Sequence, residues 1–348
     1  MLVSSDTQSI PNRCLESNSQ SQDPKATGPE YLSECSPKDR PWDRHRSQAD
    51  DVAGIYLGER EFSRLGERVQ QCSSILGFAW SPEKGDSTVL TLKLRTARFC
   101  RVRLCPCCQW RRALMWMARF HQAHPEVLAR CPGTRPVFLT LTRKNVPVGQ
   151  LRVALRAMSK AWGRMRKRTE FAAVLGWIRT VEVTRGQDGS AHPHYHALLM
   201  VPGEYFRRSS GKYVDHVGWV KMWRESLQVD YDPSVHVVAC KPKHGVLMAG
   251  GEMLPAGAGW IEAARETLKY AVKPCDMTAD RNWFLELTRQ LHKLRFIASG
   301  GALKDVLRER DETNDDLLVL GDGETDDGAR LYFGWERPVR RYKRWHIQ

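Results

Sequence analysis

VLGWIRTVEVTRGQDGSAHPHYHALLMV, residues 174–201, is the stretch whose reading decides the fold. Two runs rich in branched and aromatic residues, 174–184 and 194–201, flank a joint that contains Gly186, Asp188 and Gly189. Such a joint favours a hairpin turn, so the stretch is predicted to form two antiparallel strands. Side chains alternate between the faces of a sheet, which puts His192, His194 and His196 on one side. Across the hairpin, Glu182 stands where a carboxylate meets His194 and His196. Two imidazoles and one carboxylate, with open positions left over, suit Mn²⁺, Mg²⁺, Co²⁺ or Zn²⁺ acting on a substrate oxygen. Imidazole favours Mn²⁺ or a similar ion over Mg²⁺. His192 precedes Pro193 at the strand entrance and is read as supporting the ligands rather than joining them. Histidines hydrogen-bonded within a strand are the plainer alternative.

Working outward, RPVFLTLT (135–142) and PSVHVVACKPK (233–243) read as further strands. Leu151, Leu155, Met158, Trp162 and Met165 recur at helical spacing, with Arg and Lys on the opposite face, which leans toward phosphate contact. STVLTLKLRTARF (87–99) reads as strand, 110–121 as helix, 212–228 as strand into helix and IEAARETLKYAVK (261–273) as helix. The expected fold class is α+β: a central antiparallel sheet with flanking helices, preceded by a small zinc-binding subdomain. The expected divisions are a disordered arm at 1–55, a cysteine-rich unit at 60–125, a catalytic domain at 130–308, and an acidic loop with a basic tail at 309–348.

The formal charge is +14 overall, and about +20 falls on residues 52–308. A strongly basic body points to a polyanion, nucleic acid first and a membrane surface second. The apolar runs, such as ALLMV at 197–201, are far too short to span a membrane, and MLVSSDTQSIPNR does not resemble a secretory signal. A soluble, cytoplasmic protein is expected. No GxxxxGK[ST] phosphate loop is present, which argues against an ATP-driven motor.

Ten cysteines in a reducing compartment point to metal before disulfides. FCRVRLCPCCQWRRA (99–113) holds a Cys105-x2-Cys108 knuckle suited to two thiolates on one tetrahedral ion, with Cys100 as a third candidate and Cys72 as a fourth from across a hairpin. Cys107 is expected to point away and is the first to exchange if ligation proves different. A redox reading of CPCC is the runner-up. In the helix expected at 261–273, Glu266, Tyr270 and Lys273 fall at i, i+4 and i+7, on one face. A phenol with a pKa near 10 is a poor nucleophile at neutral pH and needs a nearby cation; Lys273 and a divalent ion both qualify.

FLTLT (138–142), HPHYHALL (192–199) and ETLKYAVK (266–273) resemble, in order, the three motifs of rolling-circle plasmid replication initiators, the Rep proteins of the HUH endonuclease class. The likeness is to the single-tyrosine subgroup with a glutamate four residues before the tyrosine, and it runs from about residue 60 to 305 with pieces such as FGWERPVRRYKRW beyond. It implies a ferredoxin-like or RRM-like catalytic domain in which His194, His196 and Glu182 hold Mn²⁺ or Mg²⁺. It also implies that Tyr270 attacks a phosphodiester at the plasmid origin, leaving a 5′-phosphotyrosyl link and a free 3′-hydroxyl primer. Glu266 is implied to activate water for the final cleavage, and Lys273 to contact phosphate or offset the phenolate charge. The cysteine stretch resembles the family's region before the first motif and implies structural Zn²⁺. Partners implied are plasmid origin DNA and a host helicase, DNA polymerase and single-strand binding protein. Rivals are an HUH transposase or relaxase, a non-catalytic zinc-containing DNA-binding repressor and an RNA-binding module. Single-tyrosine relaxases tend to carry the tyrosine before the histidine motif, whereas here it follows.

Overall fold

A computed structural model describes residues 30–83, 86–240, 258–269, 271–304, 306–307, 312–319 and 329–345. Its strands are β1 Ile75–Glu83, β2 Asp86–Ala97, β3 Arg135–Thr142, β4 Gly176–Arg185, β5 Ala191–Val201, β6 Val235–Ala239, β7 Ile297–Gly301, β8 Arg330–Glu336 and β9 Arg341–Trp345. Its α-helices are α1 Leu32–Cys35, α2 Pro41–Leu57, α3 Ser63–Gln70, α4 Pro106–Arg130, α5 Leu151–Met165, α6 His216–Leu227, α7 Ala258–Thr267, α8 Pro274–Ala279, α9 Arg281–Leu291 and α10 Asn314–Leu318. The architecture is α+β, with one sheet ordered β6-β3-β5-β4-β7 and another ordered β2-β1-β8-β9. Neighbouring strands in both sheets pair antiparallel.

The β4–β5 hairpin forms the centre of the larger sheet. Its turn closes through Gly186 N–H donating to the Ser190 carbonyl at 2.8 Å, and Gly189 takes the left-handed conformation at φ +78° that a side chain would strain. Pairing sets Glu182 opposite His194, and Thr180 opposite His196. One face of this sheet carries Val181, Val183, Tyr195, Ala197 and Leu199 into a core shared with α5, α6 and α9. The predicted stripe of α5, from Leu151 to Met165, is buried there. The opposite face presents Ile178, Leu198 and Met200 to Phe120 and Val127 of α4 and to Trp260, Ala263 and Ala264 of α7. Farther along the same face stand Glu182, His194 and His196, so the helices that bury one half of the face frame the other half.

Several sequence expectations change. Residues 30–55 do not belong to a disordered arm: α2 buries Trp42, Ala49, Val52, Ala53 and Tyr56 along one face. Its Arg46 is buried between Asp50 (2.9 Å) and the Gln70 carbonyl (2.6 Å), so even a cation of this polar segment is tied inward. Residues 1–29 of the expected arm lie outside the described residues. The cysteine-rich unit does not simply precede the catalytic part, because β1 lies between β2 and β8 and the chain returns at 330–345 to complete its sheet. What reads as a basic tail is therefore a hairpin, with Phe333 and Tyr342 fully buried. Described residues of the expected acidic loop include α10, whose Thr313 hydroxyl caps Asp316 N–H. In 212–228 only the helix is present.

Part of the basic face along α5 and the residues just after it is structural. Arg152 donates to the carbonyls of Arg289 and His292, Arg164 to that of Ser226, and Arg168 pairs with Glu225 at 2.6 Å. The lean toward phosphate contact finds little free charge in those three residues.

Candidate functional site

Strand pairing delivers the triad. Glu182 Oε2 lies 2.8 Å from His196 Nε2 and 3.3 Å from His194 Nε2. The three ligand atoms fall within 4.8 Å of one another, and all three residues are more than nine-tenths buried. Each imidazole is oriented through its other nitrogen. His194 Nδ1 reaches the His192 carbonyl at 3.3 Å, and His196 Nδ1 reaches Thr140 Oγ1 at 3.1 Å. A carbonyl only accepts, so His194 Nδ1 carries the proton, and in the neutral ring Nε2 is then a lone pair. That lone pair faces a carboxylate oxygen. Two acceptors so close suit a cation between them, so the donor set is compatible with a metal ion. Burial pushes the Glu182 carboxyl up, but hydrogen bonds and charge from His194 and His196 in their protonated form outweigh it and hold the group well below the usual carboxylate range, a stabilisation that a metal ion would supply when the rings are neutral.

Around the triad, Phe138 stacks on His196 with centroids 5.5 Å apart. Thr140 and Phe138 belong to the FLTLT stretch on β3, whose register places Thr140 opposite His196. The signal for Thr140 was present in that pairing: a hydroxyl across from a histidine on the shared face.

The expected helix at 261–273 is shorter, and this corrects the proposed common face of Glu266, Tyr270 and Lys273. α7 ends at Thr267. Thr180 Oγ1 donates to the Thr267 carbonyl at 2.6 Å, drawing off a terminal acceptor of the helix. The chain then runs beside β4: Val183 N–H donates to the Ala271 carbonyl at 2.9 Å, and Val183 and Val272 form a parallel bridge. Lys273 is extended and exposed, as the residue before Pro274 must avoid the helical region. Glu266 remains on the last turn of α7, exposed and hydrogen-bonded to Lys269. Tyr270 lies outside the described residues. The residues on either side of it, Thr267 and Ala271, are tied to Thr180 and Val183, which bracket Glu182 in sequence.

The four candidate thiols also converge. Sγ atoms of Cys72, Cys100, Cys105 and Cys108 lie within 4.8 Å of one another, with Cys72 and Cys100 each 3.6 Å from Cys108. Four thiolates at ~2.3 Å from one tetrahedral ion stand ~3.8 Å apart, so the set fits zinc. The β1–β2 hairpin brings Cys72 and Cys100 together from its two ends, helped by Ser73 N–H donating to the Arg98 carbonyl at 2.7 Å. Cys105 caps α4 and Cys108 sits in its first turn, where the helix dipole favours thiolate. Cys107 is fully buried but outside the four-sulfur group, and burial pushes its thiol up. Away from this cluster, Cys131 and Cys240 are half-buried and Cys275 is exposed.

The two clusters are connected by a residue the sequence did not single out. Gln109, next to Cys108, is buried; its Oε1 accepts from Val272 N–H at 3.3 Å. Nearby arginines hold the acidic segment rather than facing outward: Arg111 donates to the Leu317 and Leu318 carbonyls, and Arg112 grips Glu312 with bonds of 2.6 and 2.8 Å.

A buried cation-seeking triad on an antiparallel sheet, a four-thiol knuckle and a basic exterior define a nucleic-acid protein with two metal-fitting centres. The model of the family described as Replication protein matches residues 91–343. The chain is similar to a "Protein rep" of Lactiplantibacillus plantarum, 37% identical over 82% of this chain and 87% of the relative. It is also similar to a "Protein rep" of Streptococcus pneumoniae serotype 2 (strain D39 / NCTC 7466), 32% identical over 88% of this chain and 92% of the relative. A "Replication protein" of Staphylococcus aureus is 33% identical over 61% of this chain and 92% of its own length. No solved structure matches. The chain belongs to the Rep family of rolling-circle plasmid replication initiators. Among the described residues, no helix is long and apolar enough to cross a membrane.

Proposed function

We propose that this initiator nicks one strand of its plasmid origin through Tyr270, using a divalent ion held by His194, His196 and Glu182. The observation that carries the reading is the convergence of those three ligand atoms on β4 and β5, with the chain on both sides of position 270 hydrogen-bonded to β4 at Thr180 and Val183. The phenolate oxygen of Tyr270 attacks the scissile phosphorus, the P–O3′ bond breaks, and the departing 3′ oxygen takes a proton to become the primer hydroxyl. The products are a 5′-phosphotyrosyl link and a free 3′ end. Mn²⁺ or Mg²⁺ on the triad would supply Lewis-acid neutralisation of phosphate charge. The chain's own residues do the positioning: Thr140 and the His192 carbonyl fix the imidazoles, and Thr180 fixes the end of α7.

Glu266 is proposed to activate water in the terminating cleavage, once freed from Lys269, and Lys273 to contact a flanking phosphate. Zn²⁺ on Cys72, Cys100, Cys105 and Cys108 would hold the β1–β2 hairpin against α4. Lacking a motor motif, the protein would depend on a host helicase, DNA polymerase and single-strand binding protein.

The test is incubation of supercoiled plasmid carrying the origin with protein and Mn²⁺ or Mg²⁺. Nicked DNA covalently attached to protein is expected; Tyr270→Phe abolishes the adduct while salt-sensitive DNA binding persists. Binding without any adduct from the unaltered chain overturns the nicking assignment in favour of a repressor.

A further inference from the structure

The N–H of Val272 cannot reach β4. In a parallel pair the bridging residue of one strand turns its own N–H away from the partner, and its neighbours make the slanted bonds. Here Val183 N–H donates to the Ala271 carbonyl at 2.9 Å across the Val183–Val272 bridge, so Val272 N–H faces the other way. Val272 is fully buried, which closes that donor to water. A buried N–H without an acceptor is costly to the fold.

Gln109 supplies the acceptor. Its Oε1 takes the Val272 N–H at 3.3 Å, and the side chain is buried. Its Nε2 meets the Met277 sulfur at 3.9 Å, a weak acceptor. The amide thus makes one good bond and one poor one, fewer than water would offer it, so stability alone does not account for its burial. Its backbone is fixed from behind: Gln109 N–H donates to the Cys105 carbonyl at 2.9 Å in the first turn of α4, and its neighbour Cys108 belongs to the four-sulfur set.

The contact falls on a segment that bears on the reaction. Ala271 and Val272 directly follow position 270, and Val183 directly follows Glu182. Farther on, Arg185 N–H donates to Asp276 Oδ2 at 3.2 Å. β4 therefore grips this segment from one side and Gln109 from the other.

We infer that Gln109 is a positioning residue for nicking: it seats the strand after position 270 against β4 and so sets the reach of the nucleophile toward the phosphate. The inference rests on the nicking reading. It gives the thiol unit a part in the reaction that needs no contact with DNA, because the turn that carries Cys108 also carries the residue that seats this strand.

The experiment compares the unaltered full chain with Gln109→Met, of similar length but without an oxygen, and Gln109→Glu, which keeps an acceptor oxygen at the same reach. Adduct formation is followed under single turnover, with protein in excess over supercoiled plasmid carrying the origin and with saturating Mn²⁺. A displacement of about 1 Å can cost on the order of a hundredfold in rate, so Gln109→Met should lower the maximal adduct rate roughly ten- to a hundredfold. The protein concentration giving half the maximal rate should change by less than about twofold, because binding is untouched. Gln109→Glu should keep most of the parent rate. Gln109→Asn retains the amide but falls short of Val272, and should repeat the rate loss if Gln109→Met does not fold. Amide exchange read by mass spectrometry should quicken in the peptide containing Val272 in Gln109→Met and not in Gln109→Glu. Zinc content, thermal melts and Mn²⁺ affinity matching the parent's separate positioning from loss of a metal or of the fold. A parent-like adduct rate in a folded Gln109→Met or Gln109→Asn chain overturns the role, as does a higher half-saturating concentration with an unchanged maximal rate. An unaltered chain that forms no adduct removes the nicking reading and this role together, so the two failures are read from different samples.

Discussion

Replacing Thr140 with valine tests whether the triad is an ion site at all. The change keeps the shape of the side chain and its place on β3 but deletes the hydroxyl 3.1 Å from His196 Nδ1. His196 then lacks the partner that fixes its tautomer and its ring angle, while its Nε2 still faces Glu182 at 2.8 Å. Removing such an orienting partner typically lowers metal affinity roughly 10–100-fold, or about 1.4–2.7 kcal/mol. Isothermal titration with Mn²⁺ should show that loss, and the covalent adduct should return when Mn²⁺ is raised by the same factor. Thr180→Val supplies the contrast. Its hydroxyl donates to the Thr267 carbonyl at 2.6 Å and, at 3.5 Å, to the backbone carbonyl of His196, touching no ring nitrogen or carboxylate of the triad, so Mn²⁺ affinity should stay constant while adduct yield falls at every Mn²⁺ concentration. Equal Mn²⁺ affinity in Thr140→Val and the parent, with both folded, would refute the reasoning, because the imidazoles would then be ordinary strand residues.

The cysteine centre predicts an asymmetry: Cys108→Ser should lose bound zinc by atomic absorption and melt lower, whereas Cys107→Ser should keep one zinc per chain. Tyr342→Phe removes a fully buried hydroxyl that donates to the Ser73 carbonyl at 2.6 Å, beside Cys72; a loss of about 1–3 kcal/mol in denaturant unfolding is expected, and no loss would show that the C-terminal hairpin is not integral. His45 sets a pH dependence, since burial and then Arg44 lower its pKa from 6.5 to about 4. The folded state disfavours the charged ring, so stability is unaffected above pH 6.5 and falls as pH drops from 6.5 toward 4, by about 2 kcal/mol between pH 7.5 and 5. His45→Gln should flatten that part of the stability profile, and an unchanged acid limb would show that other groups govern it.

The triad and the thiol set could be read from the chain because each depends on local rules. Alternation on a hairpin aligns His194, His196 and Glu182 without help from distant residues, and a CxxC at a helix start has little geometric freedom. The end of α7 follows other rules. Residues 268–273 keep helix-compatible side chains, and the helix ends where a hydroxyl on β4 takes its terminal carbonyl and the chain turns to run beside that strand, tertiary contacts with no local signature. Only Pro274 hinted that Lys273 would be extended. Helix α2 was masked differently: its Ser, Gln and Asp content lowers the average hydropathy, yet Trp42, His45, Ala49, Val52, Ala53 and Tyr56 recur at helical spacing and are buried. Pattern outweighed composition there. The strands β8 and β9 went unread because a basic run next to an acidic one resembles a solvated tail until a sheet edge is available to receive it.

That edge belongs to β1, and the order of synthesis gives it a consequence. On the ribosome, β1 and β2 emerge together, but β8, the strand that covers the far side of β1, begins only at Arg330, long after Glu83 closes β1. At ordinary elongation rates the nascent hairpin waits on the order of tens of seconds with one side unpaired, an open template for wrong partners. A message truncated shortly before codon 330 would therefore yield a chain with every triad and thiol ligand in place but no finished scaffold around Cys72. Chaperone demand and proteolysis of such fragments should follow the missing strand rather than the missing chemistry.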